Sequence, residues 1–353
     1  MGEVPLTHLP DPSTDTIVCQ CRPKLRTSPD DWTYRIMKMD GRGENVTDLG
    51  PGEYPAPSPD GRSVACVRIR DFDGDLCVVP LANPGKVRVR SPEPADGAAS
   101  WRPDGVPAWS PDGTRVAFPV WIENSERGIA VLDLPTDRVT VRGVGDASLL
   151  IWSGDGRSVL FRKGVEWDQF GCFRETYYGL FRMDAGTGES TRVGDKLLCT
   201  WAIATVPDSP RALVVLTKSG QEPTLSLVDT LSGEETRISV GLSISEGPVW
   251  IDPGKRAVLA CRDAGEARNL VLVELDHDHG VVRSMACPPG ADRALHLCWL
   301  PGSSRILGWF QRIEANQIQE DFLSCVDLGA KKAERIGPAH LDLELPQVCP
   351  LRR

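Results

Sequence analysis

The chain has 353 residues, 41% hydrophobic and 25% charged, the balance of a folded protein, and its 34 glycines and 29 prolines predict dense turns. A formal net charge of −9 argues against general binding to nucleic acid or to an anionic membrane surface. No stretch approaches the roughly 18 apolar residues of a spanning helix, so no membrane association is expected.

The opening MGEVPLTHLPDP has neither a basic nor an apolar region, so the sequence predicts no signal peptide and a cytoplasmic protein. The eleven cysteines form no Cys-x-x-Cys pair. Most lie in alternating apolar segments, such as Cys19 and Cys21 in TIVCQCR, where cysteine acts as a small buried hydrophobe. They are expected to be free thiols in a reducing compartment.

Strands are predicted at 16–22, 33–39 and 45–49, and then one phrase recurs along the chain. It reads YPAPSPDGRSVACVR at 54–68, VPAWSPDGTRVAFPVW at 106–121, LLIWSGDGRSVLFR at 149–162 and GPVWIDPGKRAVLACR at 247–262. Ser-Pro-Asp-Gly suits a type I turn: proline presets φ at the second position, Asp tolerates the third and Gly closes the fourth. A short apolar strand precedes it and a β-branched alternating strand follows. A second signature is an apolar strand ending in Asp, as in IAVLDLPTDRV (129–139), LFRMDAGTGES (180–190) and LSLVDTLSGEE (225–235). Each unit therefore holds four strands and two turn signatures.

The first signature falls at Asp11, Asp60, Asp112, Asp155, Asp208 and Asp252, with a last copy in CWLPGSSRILGWF (298–310), where Gly302 matches Gly254. The intervals of 43 to 53 residues are those of propeller blades, none of which can bury both sheet faces alone. The expectation is all-β: one domain over 1–353, a seven-bladed β-propeller of four-stranded antiparallel blades. The blades would be 1–49 plus 341–348, then 54–91, 106–145, 148–195, 199–241, 247–286 and 295–338. HLDLELPQV (340–348) alternates apolar and polar residues, so Leu341 to Leu345 are expected as the innermost strand of the first blade, closing the ring by pairing N- and C-terminal segments.

SPDGRSVACVRIRDFDGDLCVVPLA (58–82) resembles the repeat of TolB-like β-propellers, a WD-type unit with a Trp-Ser-Pro-Asp-Gly turn, an apolar strand, an Arg-Asp-Gly-type loop and a second strand. The resemblance runs along essentially the whole chain; it is strongest at 54–91, 106–145 and 247–286 and degenerate at 199–241. It implies a fold and leaves the chemistry open. The prolyl-oligopeptidase resemblance stops at the propeller, and the clustered histidine metal site of oligogalacturonate lyases cannot be assembled from His8, His277, His279, His296 and His340.

Strand order sends both turn signatures to one face, the bottom, and the connections between blades and between second and third strands to the other, the top. The long segments 92–105, 163–178 and 311–320 are then top loops, where sites usually sit. KGVEWDQFGCFRETYYG (163–179) concentrates recognition-type side chains, with Trp167, Phe173, Arg174 and Tyr177 as candidate ligand-binding residues; the alternative is that its aromatics pack onto their own blade. Tyr54 and Trp201 are further candidates at the channel mouth, where Glu53, Ser148, Glu246 and His296 align with them. Glu53, Glu246 and His296 form the catalytic set should the protein be an enzyme, since two carboxylates and an imidazole can exchange protons. Their alternative is solvated mouth residues.

Arg22, Arg68, Lys163, Lys218, Arg262 and Arg312 recur at second-strand ends, as an anion-binding ring or, preferably, as structural partners of carboxylates. Asp71-Phe72-Asp73-Gly74-Asp75 lacks the spaced ligands of a calcium loop, and Asp40, Asp133, Asp184, Asp229 and Asp327 form a turn series rather than a metal ring. No metal or cofactor is expected. The functional expectation is a monomeric binding or scaffold module holding a protein segment or polar small molecule on its top face. The rival is a cofactor-independent lyase, hydrolase or cyclase.

Overall fold

The computed structural model describes residues 16–23, 34–70, 73–90, 101–122, 126–145, 147–164, 178–194, 199–206, 208–216, 224–238, 243–252, 256–262, 268–276, 279–286, 288–299, 305–314, 317–337 and 341–349. Every described strand is antiparallel to its neighbours, and the strands group in chain order into small sheets. Glu53–Pro57, Ser63–Arg70, Asp73–Pro80 and Arg88–Arg90 make one such sheet, with the first strand innermost. Similar sheets begin at Ala147–Trp152, Cys199–Thr205, Ser243–Asp252 and Arg293–Trp299.

The remaining four-stranded sheet joins the two ends of the chain. Leu341–Cys349 pairs with Thr16–Pro23, which pairs with Arg35–Asp40 and then Thr47–Pro51. The pairing runs from Thr16 opposite Cys349 to Pro23 opposite Leu341, longer than the alternation at 341–345 foretold. Inner strands touch their counterparts in adjacent sheets, and Leu341–Cys349 touches both Arg293–Trp299 and Glu53–Pro57.

The expectation of a seven-bladed propeller of four-stranded antiparallel blades needs correction. Among the described residues six sheets are regular four-stranded blades, and the sheet spanning 101–143 has five strands. Its inner edge is divided between Trp101–Pro103 and Ala108–Trp109, both pairing with Arg115–Ile122. Pro119 explains the division: it lies between the two paired stretches and has no N–H to give to the inner edge, so the ladder cannot run through. Pro119 still accepts a bond from the Asp104 N–H at 2.9 Å, and Gly105 swings close at φ +134°, where a Cβ would meet Pro119 at 3.0 Å.

Two expected top loops change accordingly. Within 92–105, Trp101–Pro103 belongs to the sheet, its Trp101 ring buried 5.4 Å from Phe118. The 311–320 segment is a hairpin extension, because Arg305–Glu314 and Gln317–Asp327 stay paired out to Glu314 opposite Gln317.

Strand alternation explains why the sheets need one another. Ile17, Cys19 and Cys21 face Leu307, Leu323 and Cys325 of the last blade, whereas Val18 faces Val64, Cys66 and Val79 of the next. Leu76 and Val78 likewise meet Val116 and Phe118, and Leu160 and Leu180 meet Val214 and Val228. Successive residues point to opposite faces, so both faces of a blade are apolar and each is covered by a neighbour.

The repeated turn is a hydrogen-bond cassette. Buried Ser58 donates its hydroxyl to Asp60 at 2.6 Å and accepts the Ser63 N–H at 2.9 Å, while the Gly61 N–H reaches the Ser58 carbonyl at 2.9 Å. Ser110 with Asp112 and Ser153 with Asp155 repeat these bonds. The tryptophan before the serine ties blades together: the indole N–H of Trp109 donates to the Ala56 carbonyl at 2.8 Å and that of Trp152 to the Ala108 carbonyl at 2.9 Å.

Candidate functional site

Residues aligned by sequence at the channel mouth coincide with breaks in the inner-strand ladder. The register shifts between Glu53 and Ala56, between Ser148 and Ile151, between Cys199 and Ile203 around Trp201, on both sides of Glu246, and between Ala294 and His296. A bulge inserts residues into one strand, sharpens its twist and re-aims side chains, as at barrel rims and binding sites. Two of these bulges use the left-handed region without glycine: Tyr54 at φ +57° and Leu149 at φ +52°. Such conformations are costly for bulky residues, by about 1–3 kcal/mol, and persist only where surroundings enforce them. At Tyr54 the enforcing group is buried Gln20 of the neighbouring blade, whose side-chain oxygen accepts the Tyr54 N–H at 2.9 Å.

Around Tyr54 the divided inner edge adds groups that sequence reasoning did not select. Asp104 lies 3.4 Å from the Arg127 guanidinium, and Arg127 sits over the Trp121 ring at 4.2 Å. Arg102 approaches the same ring at 5.8 Å. Burial foremost, then the charges of Glu53 and Asp104, push the Tyr54 phenol above its ordinary value, so it stays protonated as a donor beside acceptor-only carboxylates. The corner where the 53–90 and 101–143 sheets meet thus offers a phenol, two carboxylates, two guanidiniums and an indole face. This set suits a polar partner carrying both donors and acceptors. The legible signal for Arg127 and Trp121 was a tryptophan one residue before the end of the second strand opposite an arginine one residue into the third.

Of the residues selected from sequence, Glu53 and Tyr54 belong to this corner. Trp201, Glu246 and His296 are placed by their backbones on inner strands of other blades. Trp167, Phe173, Arg174 and Tyr177 lie outside the described residues. Three of the second-strand cations have partners in place: Arg68 donates to the Pro51 carbonyl at 3.4 Å, Lys163 lies 5.5 Å from the Phe181 ring centroid and Arg312 lies 3.8 Å from Glu314. The side chains of Arg22, Lys218 and Arg262 lie outside the described residues.

The Asp series is consumed by its own turns. Asp184 accepts the N–H groups of Gly186 and Thr187 at 2.9 and 2.8 Å, Asp229 those of Leu231 and Ser232, and Asp327 those of Gly329 and Ala330. Among the described residues no cluster of three or more His, Cys, Asp or Glu side chains could hold a metal ion. No described helix is long and apolar enough to cross a membrane.

No known family description and no curated protein sequence matches this chain. Solved structures do. A puromycin hydrolase is 15% identical over 93% of this chain and 53% of its own, with a TM-score of 0.65. The β-propeller domain of the Trilobed protease from Pyrococcus furiosus is 11% identical over 92% of this chain and 94% of its own, with a TM-score of 0.62. TolB from Acinetobacter baumannii is 22% identical over 79% of this chain and 67% of its own, with a TM-score of 0.49. The chain spans about half the length of the puromycin hydrolase it matches. At such identities the likeness is one of fold, and it places the chain among all-β propellers. The Pyrococcus propeller is described as having an open velcro topology. Here the first and last described strands pair.

Proposed function

We propose that this protein is a TolB-like propeller that works in the cytoplasm as a binding or scaffold module through its top face, engaging a protein segment or polar small molecule. The Trp-Ser-Pro-Asp-Gly repeats support the TolB-like reading. The observation that carries the binding role is the corner of Glu53, Tyr54, Asp104, Trp121 and Arg127, assembled on a left-handed bulge and a divided strand. Strain of this kind is retained where a surface has to be held in one shape. The 163–178 insertion, with Trp167, Phe173, Arg174 and Tyr177, would extend this surface.

Affinity capture from cell extract, read by mass spectrometry for proteins and small molecules, tests the proposal. It compares the intact chain with a 163–178 deletion, with Arg127→Ala and with the bottom-face pair Asp229→Ala/Glu234→Ala. A partner retained by the bottom-face variant and lost from the other two supports the reading. A partner captured equally by all four overturns it.

A further inference from the structure

Ser63 and Arg115 occupy the same place in successive blades. Each follows its turn serine by five residues, and each donates its N–H to that serine's hydroxyl at 2.9 Å. In the groove between the 101–143 and 147–192 blades, the Arg115 guanidinium lies 4.6 Å from the centroid of the Trp152 ring and donates to the Gly156 carbonyl at 2.8 Å. Its charge is felt by the carboxylates of Asp112, in its own turn, and Asp133, its cross-strand partner. A guanidinium in this groove therefore has an indole face, a carbonyl and carboxylates arranged around it.

One groove earlier the cation is replaced and its surroundings remain. Between the 53–90 and 101–143 blades, Ser63 stands where arginine would, and Pro80 stands opposite it where Asp133 stands opposite Arg115. Trp109 matches Trp152, Gly113 matches Gly156 and Asp60 matches Asp112. These groups line a cleft of about 240 Å³ on the bottom face, and Arg88 is part of the same lining. Asp137 of the neighbouring blade's turn is held first by Arg90, which donates to it at 2.8 Å, and only then by the charge of Arg88. Drug-sized ligands occupy about 300–1,000 Å³, so this cleft suits one side chain rather than a cofactor.

We propose that this cleft is a guanidinium-binding site. An arginine side chain would seat its planar cation on Trp109 and donate to the Gly113 carbonyl, reproducing from outside what Arg115 does from within the chain, with the Asp60 carboxylate in the same lining to favour its charge. The proposal stands apart from the top-face reading, from which the site is separated by the full height of the blade. Arginine on a partner's peptide and free arginine share this chemistry.

The test is titration of the isotope-labelled full chain, following the Trp109 indole N–H by NMR. The probes are Nα-acetyl-arginine methylamide, free L-arginine and Nα-acetyl-lysine methylamide. The arginine amide is expected to give a saturable shift with a dissociation constant on the order of 1–10 mM. The lysine amide should bind about tenfold more weakly, because a compact ammonium stacks and forks poorly. Free arginine binding as well as the amide identifies a small guanidino compound as an accepted ligand; its weaker binding points to arginine within a peptide.

Ser63→Arg should fill the cleft as Arg115 fills its neighbour and abolish the Trp109 shift without lowering the melting temperature. Arg115→Ser should open a second cleft and bring the Trp152 indole into the titration, which keeps the test decisive should Ser63→Arg fold poorly. An unmoved Trp109 signal with both arginine probes overturns the proposal. So does an undiminished shift in Ser63→Arg, or a lysine amide that binds as well as the arginine amide.

Discussion

Trp152 and Trp109 make the same bond in different surroundings, and conservative substitution at each separates what the bond contributes from what burial contributes. Trp152 is only 2% exposed, packs in the cluster of Ala117, Val159, Phe161 and Met183, donates to the Ala108 carbonyl at 2.9 Å and carries Arg115 over its ring at 4.6 Å. Trp152→Phe removes the donor, costing about 1 kcal/mol net. It also leaves a gap where the fused ring packed, costing about 1–2 kcal/mol more. Weakening of the cation–ring contact adds about 0.5 kcal/mol. The expected loss is about 3 kcal/mol. Trp109 donates to the Ala56 carbonyl at 2.8 Å but is half-buried and borders the open cleft, so Trp109→Phe should lose little beyond the bond itself, about 1 kcal/mol. Urea unfolding followed by far-ultraviolet circular dichroism gives both values, with unchanged slopes confirming that only stability moved. Equal losses at the two sites, or a loss under about 0.5 kcal/mol at Trp152, would refute the argument that the inter-blade tryptophan acts through buried packing as well as its hydrogen bond.

Three further outcomes follow from described contacts. Truncation before Leu341 removes the strand paired along Thr16–Pro23 and exposes that edge, so the melting temperature should fall by on the order of 10 °C in calorimetry; an unchanged value refutes the closing role of this strand. Asp184 is held below its ordinary value by the N–H groups of Thr187 and Gly186, so its stabilisation is present above about pH 4 and lost as pH falls through the lowered folded-state value. Asp184→Asn should therefore be less stable than the parent at pH 7 and converge with it near pH 2; a gap independent of pH refutes this. Cys19, Cys21, Cys66, Cys77 and Cys325 are buried, and burial, followed by neighbouring Cys21, pushes the Cys19 thiol up. A thiol reagent should leave these five unmodified in native protein and titrate all eleven after denaturation without reductant, whereas native disulfides found by mass spectrometry would contradict the expected redox state.

The turns were legible because their residues satisfy one another within a few positions. Ser58, Asp60 and Gly61 form their cassette with no help from distant chain, and the same holds at Ser110 and Ser153. The terminal pairing was legible in outline because alternation at 341–345 has one apolar face to bury. The divided inner edge was not, since it depends on Pro119 lying where the Trp101–Pro103 and Ala108–Trp109 segments change over across the strand, a juxtaposition no local pattern records. The corner site was half legible: Glu53 and Tyr54 could be aligned by repeat position. Asp104 and Arg127 come together only once the broken ladder brings separate segments to one place.

That contrast is why both proposed sites fall on departures from the repeat. A residue that defines the repeat has spent its polar groups on its own turn: the Ser58, Ser110 and Ser153 hydroxyls and the Asp184 and Asp229 carboxylates are engaged within five residues. A ligand finds chemistry where a repeat position has been exchanged. The 53–90 and 101–143 blades hold two such departures, the exchange of both Arg and Asp for Ser63 and Pro80 at the bottom, where Ser158 in the next blade keeps Asp184 opposite it, and the proline-divided strand at the top. Restoring the repeat should therefore silence each site separately. Ser63→Arg restores it below, and Pro119→Val, which returns an N–H to the ladder, restores it above. If Pro119→Val leaves the register around Asp104 and the spacing of Arg127 from Asp104 unchanged in its crystal structure, proline is not what shapes the upper corner.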